Sequence, residues 1–262
     1  MTQQTIRFED GAAYERMMGV WSRLAGQIFL DWLAPAPSLQ WIDVGCGNGA
    51  FTELIVERCA PVEVQGIDPS EAQLAFARTR PASRLAQFQL GDAMALPFPA
   101  DRFDVAVMAL VLVFVPDPAK GVREMVRVVR ADGTVAAYMW DMLGGGFPPE
   151  PILAEMRAMG ITPAGPPQLA ASRMEALRAL WTGAGLEAVE TREIVVERTF
   201  ADFDDFWTTN LNSPSIKATL ATMAPGEADK LKERVRAHLP ADASGRITRS
   251  GRANAVKGRL PM

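Results

Sequence analysis

Three glycines at alternate positions, Gly45, Gly47 and Gly49, follow an apolar stretch containing Leu39, Trp41, Ile42 and Val44. They precede a segment that places Phe51, Leu54, Ile55 and Cys59 on one helical face. This is the pattern of a buried strand turning sharply into a helix. Glycine allows backbone conformations closed to other residues and lets a ligand lie against the chain. The helix start behind the turn offers N–H groups without intrahelical partners. The chemistry suited to such a turn is the binding of a nucleotide-type cofactor. Two carboxylates fall at matching places. Asp68 ends a second apolar stretch, Val62 to Asp68, 23 positions after Gly45, where an acid commonly accepts hydrogen bonds from ribose hydroxyls. Asp92 follows a third stretch, Ala86 to Leu90, inside the run Gly91-Asp92-Ala93. Taken alone, Asp68 is a helix cap and Asp92 a turn residue. Taken with the glycines, they mark a site.

The glycine spacing is G-x-G-x-G, with Ala50 where a dehydrogenase fingerprint has its third glycine. Together with Asp68 and Gly91-Asp92-Ala93, it resembles the class I S-adenosylmethionine-dependent methyltransferases, and within them the small-molecule branch of ubiquinone and menaquinone biosynthesis. Phe103 to Ala109 is similar to that family's fourth strand, and Met125 to Gly133 to the stretch leading into its fifth. The resemblance covers residues 10 to 140 well. It implies that Gly45, Cys46 and Gly47 hold the methionyl part of the cofactor. Asp68 would grip the ribose hydroxyls, with Pro69 and Gln73 beside it. Asp92 would take the adenine amino group, with the Ala93 N–H next to it, and the backbone at Ala109 and Leu110 would receive the ammonium group. Upstream, Tyr14 and Arg23 fit a Y-x-x-x-M-G-x-W-S-R pattern that in similar enzymes covers the cofactor near its carboxylate, a group for which arginine is a suitable partner. No metal site is implied.

The fold that follows is α/β. It is a Rossmann-like, seven-stranded, mostly parallel sheet with an antiparallel last strand, helices on both faces, and a helical lid from the N-terminus and from insertions. Residues 1–36 read as an N-terminal helical cap and 37–143 as the cofactor-binding core. Residues 144–262 complete the fold, with a lid insertion around 201–240. Ser70 and Gln73 form a capping-box pattern, and Asp117-Pro118 opens a later helix whose apolar face is Val122, Met125, Val126 and Val129. Asp132-Gly133 reads as a turn before a strand from Val135 to Trp140. Glycines 144–146 and Pro148-Pro149 form a joint. Helices are expected over Ile152 to Met159 and Ser172 to Gly183, and strands over Leu186 to Thr199 and Gly245 to Arg259.

Composition bounds the partners. The chain has 262 residues, 48% hydrophobic and 22% charged, enough for a sizeable core, and a net charge of −4 that disfavours nucleic acid. No apolar run approaches the ~18 residues of a membrane span, and the polar N-terminus is unlike a signal peptide. Cys46 and Cys59 have neither disulfide nor metal spacing and read as reduced thiols of a cytoplasmic protein. His238 lies in a charged segment and reads as solvated, and the basic residues of the C-terminal tail as a solvated sheet edge. The expected partner is a small molecule, and the expected state is a monomer or homodimer.

The chemistry implied is in-line displacement at an electrophilic methyl group, in which the protein positions a nucleophile and excludes water. The stretch after the fourth strand, Leu110 to Val115, is wholly apolar, so no histidine base is available there. Tyr138 and Asp141 remain as weak base candidates. The acceptor is therefore expected to be a small, mostly apolar molecule needing little activation. Phe203, Phe206, Trp207 and Asn210 share a helix face and read either as a lid over it or as core. One alternative is a non-catalytic sensor that binds the cofactor. A NAD-dependent oxidoreductase is disfavoured by the missing third glycine.

Overall fold

The structure, a computed structural model, describes residues 15–262. One π-helical turn, Glu15–Gly19, leads into α1 (Val20–Leu33). The core follows as β1 (Gln40–Val44), α2 (Ala50–Cys59), β2 (Glu63–Asp68), α3 (Glu71–Ala77), β3 (Ala86–Leu90), β4 (Phe103–Ala109), α4 (Pro118–Val128) and β5 (Val129–Trp140). The second half adds α5 (Glu150–Ala158), α6 (Met174–Gly183), β6 (Glu187–Phe200), α7 (Phe203–Asn210), α8 (Pro214–Leu220), α9 (Glu227–His238) and β7 (Ile247–Arg259). All seven strands form one sheet in the order β3-β2-β1-β4-β5-β7-β6. Neighbours from β3 to β5 pair in parallel, whereas β7 runs antiparallel to both β5 and β6. This is the mixed, Rossmann-like sheet expected from the sequence.

The central strands are apolar on both faces because helices cover both. Consecutive residues of a strand point to opposite sides, yet Trp41, Ile42 and Val44 of β1 are all fully buried. Helix starts follow local chemistry. Ser70 Oγ accepts from the Gln73 N–H at the head of α3, and Asp117 Oδ1 accepts from the Lys120 N–H ahead of Pro118. One boundary differs from expectation. The apolar face read through Val129 stops at Val128, because Val129 pairs with Phe103 and opens β5. Asp132, with φ of 60°, and Gly133 make a kink inside that strand rather than a turn before it. The kink is held by Leu260, whose backbone bonds to both Asp132 and Gly133.

The order of strands reverses between β1 and β4, so the crossovers after these two strands leave the sheet in opposite directions. In open α/β sheets a crevice opens there, at the carboxyl ends. α1 closes the sheet on one side. Its Phe29 is fully buried, with ring centroids 4.8 Å from Tyr138 and 5.9 Å from Phe51. Trp21 stands edge-on to Trp140 at 6.4 Å. On β5, Trp181 of α6 donates its indole N–H to the Val135 carbonyl at 2.8 Å. One hydrophobic core runs from Met17 to Val256 and joins all three stretches distinguished in the sequence. Among the described residues no helix is long and apolar enough to cross a membrane.

Truncating Phe29 to alanine would open a cavity under three aromatic neighbours. Phe29→Ala is expected to lower the unfolding free energy by about 3–5 kcal/mol, read from urea unfolding midpoints with an unchanged slope.

Candidate functional site

The three glycines have three different surroundings. All take positive φ, at 76°, 53° and 78°. A Cβ at Gly45 would stand 2.5 Å from Val111 Cγ1, and one at Gly49 would stand 3.0 Å from the Ala77 methyl. These two glycines let the loop pack against the segment after β4 and against α3. At Gly47 the nearest atom is Gln73 Oε1, at 4.0 Å. No other described residue comes within 4 Å of that position, where a ligand would lie.

The loop is tied to β2. Gly45 and Cys46 both donate backbone N–H groups to the Ile67 carbonyl, at 2.7 and 3.0 Å. Asp68 Oδ2 accepts from the Gly47 N–H at 2.9 Å, and its Oδ1 accepts from the Ser70 N–H at 2.8 Å. The carboxylate of Asp68 therefore builds the loop besides facing it. Burial raises its pKa above the usual carboxylate range, and the two N–H bonds offset part of that rise. Burial likewise holds the Cys46 thiol well above its ordinary value, so it is protonated.

Beneath the loop lies Asp43, fully buried in the middle of β1. Its Oδ2 accepts from Thr52 Oγ1 at 2.7 Å, while its Oδ1 has no hydrogen-bond partner. Burial, followed by the nearby charge of Asp68 and against the Thr52 bond, pushes its pKa to about 7. The sequence reading passed over Asp43, although an acid inside a strand otherwise apolar on both faces (W-I-D-V) was the available signal.

The N-terminal segment reaches the loop through residues other than those expected. Arg80 donates from Nε to the Asn48 carbonyl at 2.6 Å and from Nη1 to Glu53 at 2.8 Å, and pairs with Glu15. Glu15 also accepts from the Asn48 amide at 2.8 Å. Arg23 instead pairs with Glu57 at 2.6 Å, near the far end of α2 and largely exposed. Arg23 is thus not among the described residues bonded to the glycine loop. In the helix α1 it projects toward α2, and Arg80 is the cation at the loop. Tyr14 lies outside the described residues.

The other expected residues sit along the carboxyl edge of the sheet. Gln73 is buried over Gly47, and Pro69 is exposed beside Asp68. Gly91 donates its N–H to the Asp68 carbonyl at 3.2 Å, which brings Asp92 and the half-buried Ala93 next to the end of β2. The exposed Asp92 closes its own turn by accepting from the Met94 N–H at 2.8 Å. Ala109 ends β4, and Leu110 follows in the left-handed region at φ of 63°, held by a 2.8 Å bond from its N–H to the Tyr138 carbonyl. A bulky side chain in that region is strained, by about 1–2 kcal/mol, and such residues cluster at functional sites.

Leu110 also lines a small pocket, partly open to solvent, beyond the ends of β4 and β5. Met17 and Met18 from the N-terminal turn form one wall, and Phe114, Trp140 and Met142 another. Ser213, Pro214 and Ser215, from the insertion before β7, form a third. Among the described residues no acid or histidine lines it. Tyr138 is buried between Phe29 and Phe51, and Asp141 is paired with Arg252 at 2.7 Å, so neither base candidate faces the cavity. Nor do Phe203, Phe206, Trp207 and Asn210, which pack as core on Phe200 and on one another. His238 pairs with Glu155 on the surface. Both cysteines are free and buried, and no metal-binding cluster occurs among the described residues.

Comparison with known proteins agrees with this geometry. Residues 42–137 match the family model described as a methyltransferase domain. Over 107 residues the chain is 41% identical to 2-methyl-6-phytyl-1,4-hydroquinone methyltransferase 2 of Oryza sativa, covering 39% of this chain and 31% of that protein. Over 131 residues it is 30% identical to the ubiquinone/menaquinone biosynthesis C-methyltransferase of Cereibacter sphaeroides, covering 48% and 52%. The matches thus span between a third and a half of these relatives. In fold, it resembles phosphoethanolamine N-methyltransferase 2 of Haemonchus contortus in complex with S-adenosyl-L-methionine. There the TM-score is 0.57 and the identity 17%, covering 95% of this chain and 56% of that one.

The raised pKa of Asp43 makes stability depend on pH. Its carboxyl titrates near 7 folded and near 4 unfolded, so its stabilising effect is full below pH ~4 and is lost as pH rises towards 7. Asp43→Asn keeps an acceptor for Thr52 and removes the titration. The variant should gain stability relative to the unsubstituted protein between pH 4 and 7, by up to about 4 kcal/mol, read from urea unfolding at stepped pH.

Proposed function

Because residues 42–137 match a methyltransferase-domain model and lie on a seven-stranded sheet, we propose that the chain transfers a methyl group from S-adenosylmethionine to a small, mostly apolar acceptor. The observation that supports this is the uncrowded glycine turn at Gly47, tied to Asp68, on the same sheet whose β4 end, at Leu110, lines an apolar pocket. The residues present fit the cofactor. The backbone of Gly45, Cys46 and Gly47 would lie under its methionyl part. Asp68 spends one acceptor site of each oxygen on the loop and keeps others for a ribose diol, with Pro69 and Gln73 alongside. Asp92 and Ala93 would meet the adenine, and the backbone at Ala109 and Leu110 the ammonium group. A positively charged ligand also suits the two buried acids beneath it, because an opposite charge nearby favours their ionised form.

When bound, the cofactor supplies a methyl group on a sulfonium that needs no further activation. The protein then has to exclude water and hold the acceptor in line. Methionine, leucine and aromatic side chains around the cavity do the first. The lack of an acid or histidine among the described lining residues favours an acceptor that is already nucleophilic, and the names of the relatives point to a hydroquinone-like ring. The two free buried thiols support a reducing, cytoplasmic setting. The same lack of a base is what favours the second reading, a cofactor-binding sensor without turnover.

Calorimetric titration should show binding of S-adenosylmethionine and its demethylated product and none of NAD. Radiolabelled methyl should pass to reduced, alkylated benzene- or naphthalene-1,4-diols. Binding without transfer to any acceptor leaves the sensor, and NAD binding alone overturns both readings.

Gly47→Ala tests the placement. Its φ costs alanine about 1–2 kcal/mol, but no described atom comes closer than 4.0 Å to the new methyl, so the variant should fold. The methyl would occupy the cofactor's space, and affinity should fall by more than about tenfold. Unchanged affinity in the calorimeter would move the cofactor away from this loop.

A further inference from the structure

The described lining of the pocket beyond Leu110 is mostly apolar, and two serines, Ser213 and Ser215, belong to it. Ser213 lines it and is only 2% exposed. Its backbone is fully engaged: its N–H donates to the Asn210 carbonyl and its carbonyl accepts from the Lys217 N–H, both at 2.9 Å. Its hydroxyl is not engaged. It does not cap α8, and it bonds to no other group among the described residues. Ser215, its neighbour on the same wall, differs in this respect, since its hydroxyl is committed to the Ala164 carbonyl. The Ser213 hydroxyl therefore keeps its donor and acceptor capacity for a ligand in the pocket. In a cavity this apolar, a single unpaired hydroxyl can fix the orientation of a ligand that shape alone would leave free to turn.

We propose that Ser213 is the positioning residue for the acceptor. Its hydroxyl hydrogen-bonds the one polar function, an oxygen or nitrogen, of an otherwise apolar ring, and so turns that ring's nucleophilic atom towards the methyl group. This rests on the methyltransferase reading for the direction of the ring, but the hydrogen bond itself is testable without the cofactor. The acceptor class is then an aromatic or polyene skeleton bearing a hydroxyl, rather than a plain hydrocarbon or a charged molecule. Ser213 does not act on the reacting atoms, so its loss should change acceptor selection more than cofactor affinity.

The test uses two probes of nearly the same shape, 1-naphthol and naphthalene, in equilibrium dialysis with the full chain, with and without S-adenosylhomocysteine. Ser213→Ala should weaken 1-naphthol by about fivefold to tenfold and leave naphthalene unchanged. Ser213→Thr keeps the hydroxyl and should keep the ratio of the two affinities, even if its extra methyl lowers both. Equal losses for both probes in Ser213→Ala, an unchanged 1-naphthol affinity, or failure of the unsubstituted protein to bind either probe would overturn the proposal. Failure of S-adenosylhomocysteine to bind would instead count against the cofactor reading, while the naphthol-to-naphthalene ratio would still decide the role of Ser213.

Discussion

The site depends on the bonds that fasten the end of β1 to the end of β2. The Ile67 carbonyl takes two N–H groups from the glycine turn, and Asp68 takes a third from Gly47 and a fourth from Ser70. A turn with three left-handed glycines would otherwise be the least ordered part of the chain, since glycine loses most conformational freedom on folding. Here it is held on one side only. On the other side no described residue crowds Gly47, and a rigid loop is what a ligand needs if binding is not to bear the cost of ordering it.

The fastening concentrates negative charge in a dry place. Burial raises the proton affinity of both Asp43 and Asp68, and the charge of Asp68 raises that of Asp43 further. One Asp43 oxygen has no partner at all. Such a pair is stable when partly protonated or when a cation lies over it. Arg80 does not serve that purpose, because its donors are already divided among Asn48, Glu53 and Glu15 on the outer side of the loop. Its effect is to bolt the N-terminal turn to the glycine turn. The same turn carries Met17 and Met18 into the cavity wall, so the order of the loop and the shape of the cavity are coupled through Glu15.

The cavity itself comes from parts distant in the chain. The N-terminal turn, the left-handed Leu110, the end of β5 and the insertion after β6 meet only because β7 turns back between β5 and β6. This antiparallel edge lifts the insertion above the carboxyl ends of the strands. Its aromatic face, Phe206 and Trp207, then packs inward on Phe200, and the polar turn before α8 is left to face the cavity.

Local chemistry was legible in the sequence wherever neighbours in the chain settle the outcome. The glycine turn, the capped helices at Ser70 and Asp117, the apolar strands, and the places of Asp68 and Asp92 follow from short-range pattern, because period, cap and turn depend on residues a few positions apart. The sheet order and its antiparallel edge were legible only through the family resemblance. Tertiary structure decided what depends on distant partners. Arg23 and Arg80 are both arginines near glycine-loop helices, and nothing local says that one meets Glu57 and the other Asn48. The extension of β5 back to Val129 required Phe103 to pair with it. Asp43 titrates near 7 because two helices and the loop exclude water from it, and the unpaired hydroxyl of Ser213 belongs to a cavity whose walls are up to two hundred residues apart.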